Sequence, residues 1–208
     1  MPDAVICGYA RTPFGKFRGA LSSYSAVELG VKAVEGLLSR TGIDASSGVI
    51  DQVYMGQVLQ TGAGQAPARQ VALGCGMPHS TPCTTINKVC GSSLKAVMIA
   101  ATEIRAGVSE LVVAGGMESM TNSPRFIRDA RRGEDVSYKS LVSVLSFDGL
   151  TDAYTGELMG NTGETCALEF GISREESDVY SLRSHKLSFD AWENGLIGSE
   201  CVSMEELS

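Results

Sequence analysis

A cysteine at position 90 stands between a polar, strand-like run and a block of small residues, in "TTINKVCGSS" (residues 84–93). If a strand ends near Asn87 and a helix begins near Gly91, Cys90 sits at a helix amino terminus, where unpaired N–H groups and the macrodipole favour a thiolate. A thiolate there can attack a carbonyl carbon, and the Cys90 backbone N–H is a candidate donor to the oxyanion that forms. Gly91, Ser92 and Ser93 carry little side chain, so a ligand can approach the backbone closely. The same residue types also suit a small buried thiol, the commoner fate of cysteine, and the local pattern leaves both readings open.

The other five cysteines, Cys7, Cys75, Cys83, Cys166 and Cys201, form no C-x-x-C pair, and two histidines are too few for an ordinary Cys/His zinc site. No metal is expected. His79 lies in a turn-like "GMPHSTP" and His185 on a charged helix, and both are assigned to the surface. Free thiols in a reducing cytoplasm are the simplest reading. The net charge of −7 and pI near 4.9 argue against nucleic acid as a partner, because phosphate-backbone binding rests on Lys and Arg. No run of 18 apolar residues occurs, so no membrane span is expected, and "MPDAVICGYARTPFGK" resembles neither a secretion signal nor a transit peptide.

The elements that must position Cys90 alternate. Residues 4–9 ("AVICGY") predict a buried strand. Ser25 and Glu28 form a capping box, opening a helix through Val27, Val31, Val34 and Leu38 that Gly42 stops. A strand follows at 52–60, then a helix near "APARQVALG", then a strand at 83–87. After Cys90 the spacing of Leu94, Val97, Ala101 and Ile104 predicts one buried helix face up to Gly107, and "ELVVAGG" (110–116) predicts a buried strand. Repeated βα units of this kind predict an α/β fold with a helix-covered, mostly parallel sheet.

Composition changes after Gly116, which places a domain boundary between residues 1–116 and 117–208. The second part opens with a polar stretch in which Arg125, Arg128, Arg131 and Arg132 cluster as a solvated loop. A second capping box, Ser173 with Glu176, opens a helix through Val179, Leu182, Leu187 and Ala191 to Gly195. No further strand or helix is completed after Glu200, so the chain reads as stopping short of another element.

Taken together, "NKVCGSSLKA" (87–96) and "GGMESMTNSP" (115–124) resemble the thiolase family of acetyl-CoA acetyltransferases and 3-ketoacyl-CoA thiolases. "ARTPFGKFRGAL" (10–21) is similar to that family's opening loop. "LTDAYTGELMGNTGE" and "SREESDVYSLRSHKLSFDAWENG" are similar to its loop domain and the helix that follows. The resemblance runs from about residue 3 to 200, and four ordered matches are far more specific than one. It implies that residues 1–116 are the nucleophile-bearing half of the family's duplicated fold, and that 117–208 are an incomplete loop domain.

By the same resemblance Cys90 forms an acyl-enzyme with an acyl-CoA, and a second thioester or free CoA takes the acyl group. Coenzyme A thioesters are then substrates, and no tightly bound cofactor is implied. The family's catalytic His and second Cys belong to a C-terminal half whose G-H-P and C-x-G-G-G motifs do not occur here. The resemblance therefore implies a companion chain carrying that half, in a homo- or hetero-oligomer, or a fragment of a longer chain. A non-catalytic thiolase-like scaffold and a ketoacyl-synthase-like condensing enzyme are the alternatives. Met159 matches the family's pocket-lining methionine, and Leu158 replaces a His that many biosynthetic members carry, so the two are candidates for the acyl pocket. Ser93 replaces a more usual Gly, and Gly163 and Thr165 replace Ala and Asn.

Overall fold

The computed structural model describes residues 3–128 and 137–204. The chain forms two compact units, one running to Gly149 and rejoined by the chain at Val202, the other Leu150–Cys201. The composition change expected to mark a boundary before residue 117 lies inside the first unit. The chain stays there because β4 (Arg125–Phe126) pairs antiparallel with β5 (Val142–Ser143), and Phe126 meets Phe147 edge to face.

In the first unit, α1 (Ala26–Thr41) starts at the predicted capping box. Glu28 N–H donates to Ser25 Oγ at 3.2 Å, Ser25 N–H donates to Glu28 Oε2 at 2.7 Å, and Gly42 ends the helix at φ 69°. Next come β1 (Gln52–Gly56), α2 (Pro67–Gly74), β2 (Cys83–Ile86), α3 (Ser92–Ala106) and β3 (Val112–Gly116). The three strands form one parallel sheet in the order β2-β1-β3, as the alternation of strands and helices implied. The fold is α/β.

Central β1 is covered on both faces. Val53 and Met55 pack with Val34, Leu38, Val71 and Val113 beneath α1 and α2, while Tyr54 packs with Ala96 and Ala100 of α3. β1 stops at Gly56, short of the predicted residue 60: Gln57 N–H still donates to Ile86 O at 3.0 Å, but the Val58 and Leu59 amides turn to the Glu118 carboxylate.

Two expectations are corrected. Residues 4–9 form no strand in this structure. They join neither outer strand of the sheet, and Val5, Ile6 and Tyr9 are exposed. An apolar run gains a strand's stability only through a neighbour's backbone, and here the pairing near this segment is one step on, where Val202 N–H donates to Arg11 O at 2.8 Å. The buried face of α3 is also not the predicted one. Leu94 and Val97 are exposed, and the helix turns Ser92, Ala96 and Ala100 to the sheet. Small residues let the helix axis come close, and close approach outweighs burial of the larger side chains.

In the second unit, α4 (Met159–Phe170) was not legible beforehand: its N-cap, Leu158, makes no side-chain cap bond, and Gly160 and Gly163 weaken its early turns. α5 (Arg174–Glu193) starts at the predicted capping box, with Ser173 N–H donating to Glu176 Oε2 at 2.8 Å. Val179, Leu182 and Leu187 are nevertheless exposed. No helix of the described residues is long and apolar enough to cross a membrane.

Candidate nucleophile site

Cys90 is exposed, so it is not the small buried thiol that its sequence setting also allows. Two other thiols of the same unit are less exposed: burial pushes the Cys75 thiol up to about 12 and raises that of Cys83 as well. Those two are structural thiols. Among the described residues no group of His, Cys, Asp and Glu could hold a metal ion, and all six cysteines are free.

Cys90 occupies a tight turn closed by a Gly91 N–H bond to Lys88 O at 3.1 Å, immediately before the N-cap, Gly91, of α3. The residue before it, Val89, has φ 47°. A β-branched side chain in the left-handed region costs on the order of 1–3 kcal/mol, so surrounding bonds must over-determine the turn. They do. Val89 N–H donates to Asn87 Oδ1 at 3.0 Å, and Ser92 Oγ both accepts from Lys88 N–H at 2.8 Å and donates to Val89 O at 2.6 Å. The Cys90 N–H takes no part in these bonds.

The helix behind the turn is seated by glycines. A Cβ on Gly56 would meet Ser93 N at 2.5 Å, and a Cβ on Gly116 would meet Ser93 Cβ at 2.6 Å. Ser92 is thus buried rather than part of an open shelf, Ser93 lies against Gly56 and Gly116 yet stays exposed, and a Cβ on Gly91 would meet only Lys88 O, at 3.5 Å. At its other end α3 is tied to β1, where Tyr54 Oη donates to Glu103 Oε1 at 2.6 Å and Ser109 Oγ donates to Glu103 Oε2 at 3.1 Å. Burial and the adjacent carboxylate push the Tyr54 hydroxyl up to about 12.

Sequence reasoning missed Asn87, Ser92 and Glu118 as parts of this construction. Asn87 Nδ2 donates to Val58 O at 3.3 Å, so the nucleophile turn and the loop after β1 share one brace. Glu118 holds the other side of that loop through the Val58 and Leu59 amides; burial raises its carboxyl, against those two donors. Only contacts between segments far apart in sequence reveal these roles. Glu118→Ala leaves both amides without an acceptor and is expected to destabilise the first unit by about 1–3 kcal/mol. Denaturant melting of the two chains checks this.

The remaining predicted residues are placed as follows. Leu158 is the N-cap of α4 and Met159 its first residue; both lie in the second unit and both are exposed. His79 and His185 are exposed, as assigned. Arg125 is exposed in β4, and the Arg128 guanidinium lies 4.1 Å from the Phe147 ring centroid, a cation–π contact rather than a free charge. Arg131 and Arg132 lie outside the described residues. A cavity of about 350 Å³, lined by Ser25, Gln57, Leu59 and Asn122 among others, does not include Cys90.

The model of the thiolase N-terminal domain matches residues 4–206. Acetyl-CoA acetyltransferase 2 of Arabidopsis thaliana is 46% identical over 203 residues, covering 98% of this chain and 50% of the relative. A cytosolic acetyl-CoA acetyltransferase of Gibberella zeae is 43% identical over 205 residues, covering 99% and 51%. A crystal structure of Acat5 thiolase from Ascaris suum in complex with coenzyme A superposes with a TM-score of 0.90 at 34% identity, covering 98% of this chain and 52% of that one. The chain spans about half the length of the relatives it matches. An α/β unit of this topology, with an exposed cysteine at the head of α3, matched over almost its whole length, belongs to the thiolase family and corresponds to that family's N-terminal half.

Proposed function

We propose that this chain carries the nucleophile of a thiolase. Cys90 Sγ attacks the carbonyl carbon of an acyl-CoA thioester, the C–S bond to coenzyme A breaks, and the acyl group is held on Cys90 as a new thioester. In the cleavage direction Sγ attacks the keto carbon of a 3-ketoacyl-CoA, and the bond between that carbon and C2 breaks. The C2 carbanion, held as the enolate of the departing thioester, is then protonated to give acetyl-CoA. Free coenzyme A or the enolate of a second acetyl-CoA then takes the acyl group, so the exchange is reversible and needs no tightly bound cofactor. The Cys90 N–H, which the bonds that brace the turn do not use, serves as an oxyanion donor. Leu158 and Met159 serve as acyl-pocket residues.

The observation that carries this reading is the exposed thiol of Cys90 on an over-determined turn in a chain of this family. Proton removal from C2 of the second thioester requires a base, which we assign, with the second cysteine, to the family's C-terminal half, carried by a companion chain or by the rest of a longer chain. Exposed apolar groups support a companion: Leu94, Val97 and Met98 on α3, and Val5, Ile6 and Tyr9 before Arg11. Among the described residues the outer strands β2 and β3 also each keep one unpaired edge. The chain alone is then inactive, and the working enzyme is an oligomer. The cytoplasm is the proposed compartment, in keeping with six free thiols; relatives named for the cytosol and for the mitochondrion both match.

Brief iodoacetamide labelling tests the nucleophile. Cys90 is expected to react about tenfold faster than Cys7 and Cys166, which are exposed too, and acetyl-CoA should protect it alone. Equal rates at the three thiols, with no protection, would leave an assembly scaffold as the function.

A further inference from the structure

The Ser92 hydroxyl holds a position unusual for a serine at a helix start. α3 has no side-chain cap at its amino terminus, although a serine stands as its first residue. Instead of capping the helix, the hydroxyl points back into the preceding turn and uses both of its hydrogen-bonding functions there: it accepts from Lys88 N–H at 2.8 Å and donates to Val89 O at 2.6 Å. It is buried, at 5% exposure, so water does not substitute for either bond. The turn it braces has Val89 at the position following Lys88, at φ 47°, where turn chemistry calls for glycine, asparagine or aspartate.

We propose that Ser92 is a positioning residue for the Cys90 nucleophile: its hydroxyl latches Val89 in the left-handed conformation, and that conformation sets the direction of the Cys90 N–H and Sγ. Asn87 is the second half of the latch, through the bond from Val89 N–H to its Oδ1 at 3.0 Å. Without the latch, valine relaxes towards negative φ and the peptide between Val89 and Cys90 rotates away from its set orientation. Ser92 touches no reacting atom in this scheme and acts only through Val89. The proposal rests on the nucleophile role given above for its consequence in catalysis, but the latch itself is a statement about the turn.

This makes an unusual genetic prediction. Glycine adopts positive φ without steric cost, so a chain with Gly at 89 does not need the latch. In the full chain, Ser92→Ala is expected to slow Cys90 alkylation on the order of ten- to a hundredfold, with the Cys7 rate unchanged. It should also speed hydrogen exchange at the Lys88 and Gly91 amides of the turn. Adding Val89→Gly to Ser92→Ala should restore most of the alkylation rate. A serine that merely stabilised α3 would not be rescued from two residues away by a glycine. Ser92→Ala with wild-type exchange and alkylation would overturn the proposal, as would a double variant no better than the single one. Should the wild-type Cys90 prove no more reactive than Cys7 while turn exchange follows the predicted pattern, the acyl-transfer reading falls and the latch stands.

Discussion

A Cys90→Ala chain, assembled as the wild type is, is expected to take up no acyl group and to lose on the order of 10⁴-fold or more in the proposed cleavage of a short 3-ketoacyl-CoA by coenzyme A. The size of the loss follows from the chemistry. Two-step acyl transfer has no bypass through water when the group that forms the covalent intermediate is gone. Cys90→Ser should fall nearly as far, because the hydroxyl keeps the shape but is a far weaker nucleophile near neutral pH. Stability should hardly change, since Cys90 is exposed and its side chain packs against no core, so melting within about 0.5 kcal/mol of wild type is expected. Cys7→Ala and Cys166→Ala are the matched controls: each removes an exposed thiol and should leave turnover intact. Equal losses in Cys166→Ala and Cys90→Ala would mean that the thiol at the head of α3 has no special role.

The second large effect is expected at Gly56, which carries no catalytic group. A Cβ there would lie 2.5 Å from Ser93 N, 2.6 Å from Ser92 C and 2.8 Å from Ser92 Cβ. Two of these obstacles are backbone, so no side-chain rotation relieves them, and the amino terminus of α3 must move off the sheet. Gly56→Ala is expected to destabilise the first unit by about 1–3 kcal/mol, as overpacking does. The same displacement carries the Cys90 turn with it, and a shift approaching 1 Å at a reacting group costs on the order of a hundredfold in rate. Gly163→Ala is the control, for a Cβ there meets nothing within 4 Å and α4 gains helix propensity, about 0.5–1 kcal/mol. Thermal melting and turnover of the two variants decide the matter; a Gly56→Ala enzyme with wild-type values for both would show that α3 is not held by close contact.

The parts of this molecule that were legible in the sequence are those written in local rules. The capping boxes at Ser25 and Ser173, the glycine stops at Gly42 and Gly107, and the short strands β1 to β3 each depend on neighbours within a few positions. The place of Cys90 was legible for the same reason, as a small-residue turn between a strand and a helix. What the local pattern misplaced was set by distant partners. The apolar spacing of Leu94 and Val97 points to a core face, yet α3 rotates its small face inward because Gly56 and Gly116, far away in sequence, open a slot for it. The run at 4–9 has the composition of a buried strand, but composition does not supply a sheet edge to pair with. Glu118 and Asn87 were invisible because each acts on the loop after β1 across a long stretch of chain.

The central claim, that Cys90 carries the acyl group, is tested most directly by intact mass. The full chain, alone and together with the chain that completes it, is incubated briefly with acetyl-CoA, quenched in acid and weighed, and the modified peptide is sequenced. The expected result is one acetyl group, on the peptide containing Cys90, in the completed assembly and absent from Cys90→Ala. No mass increase in either sample, or an acetyl group that persists in Cys90→Ala, would contradict it.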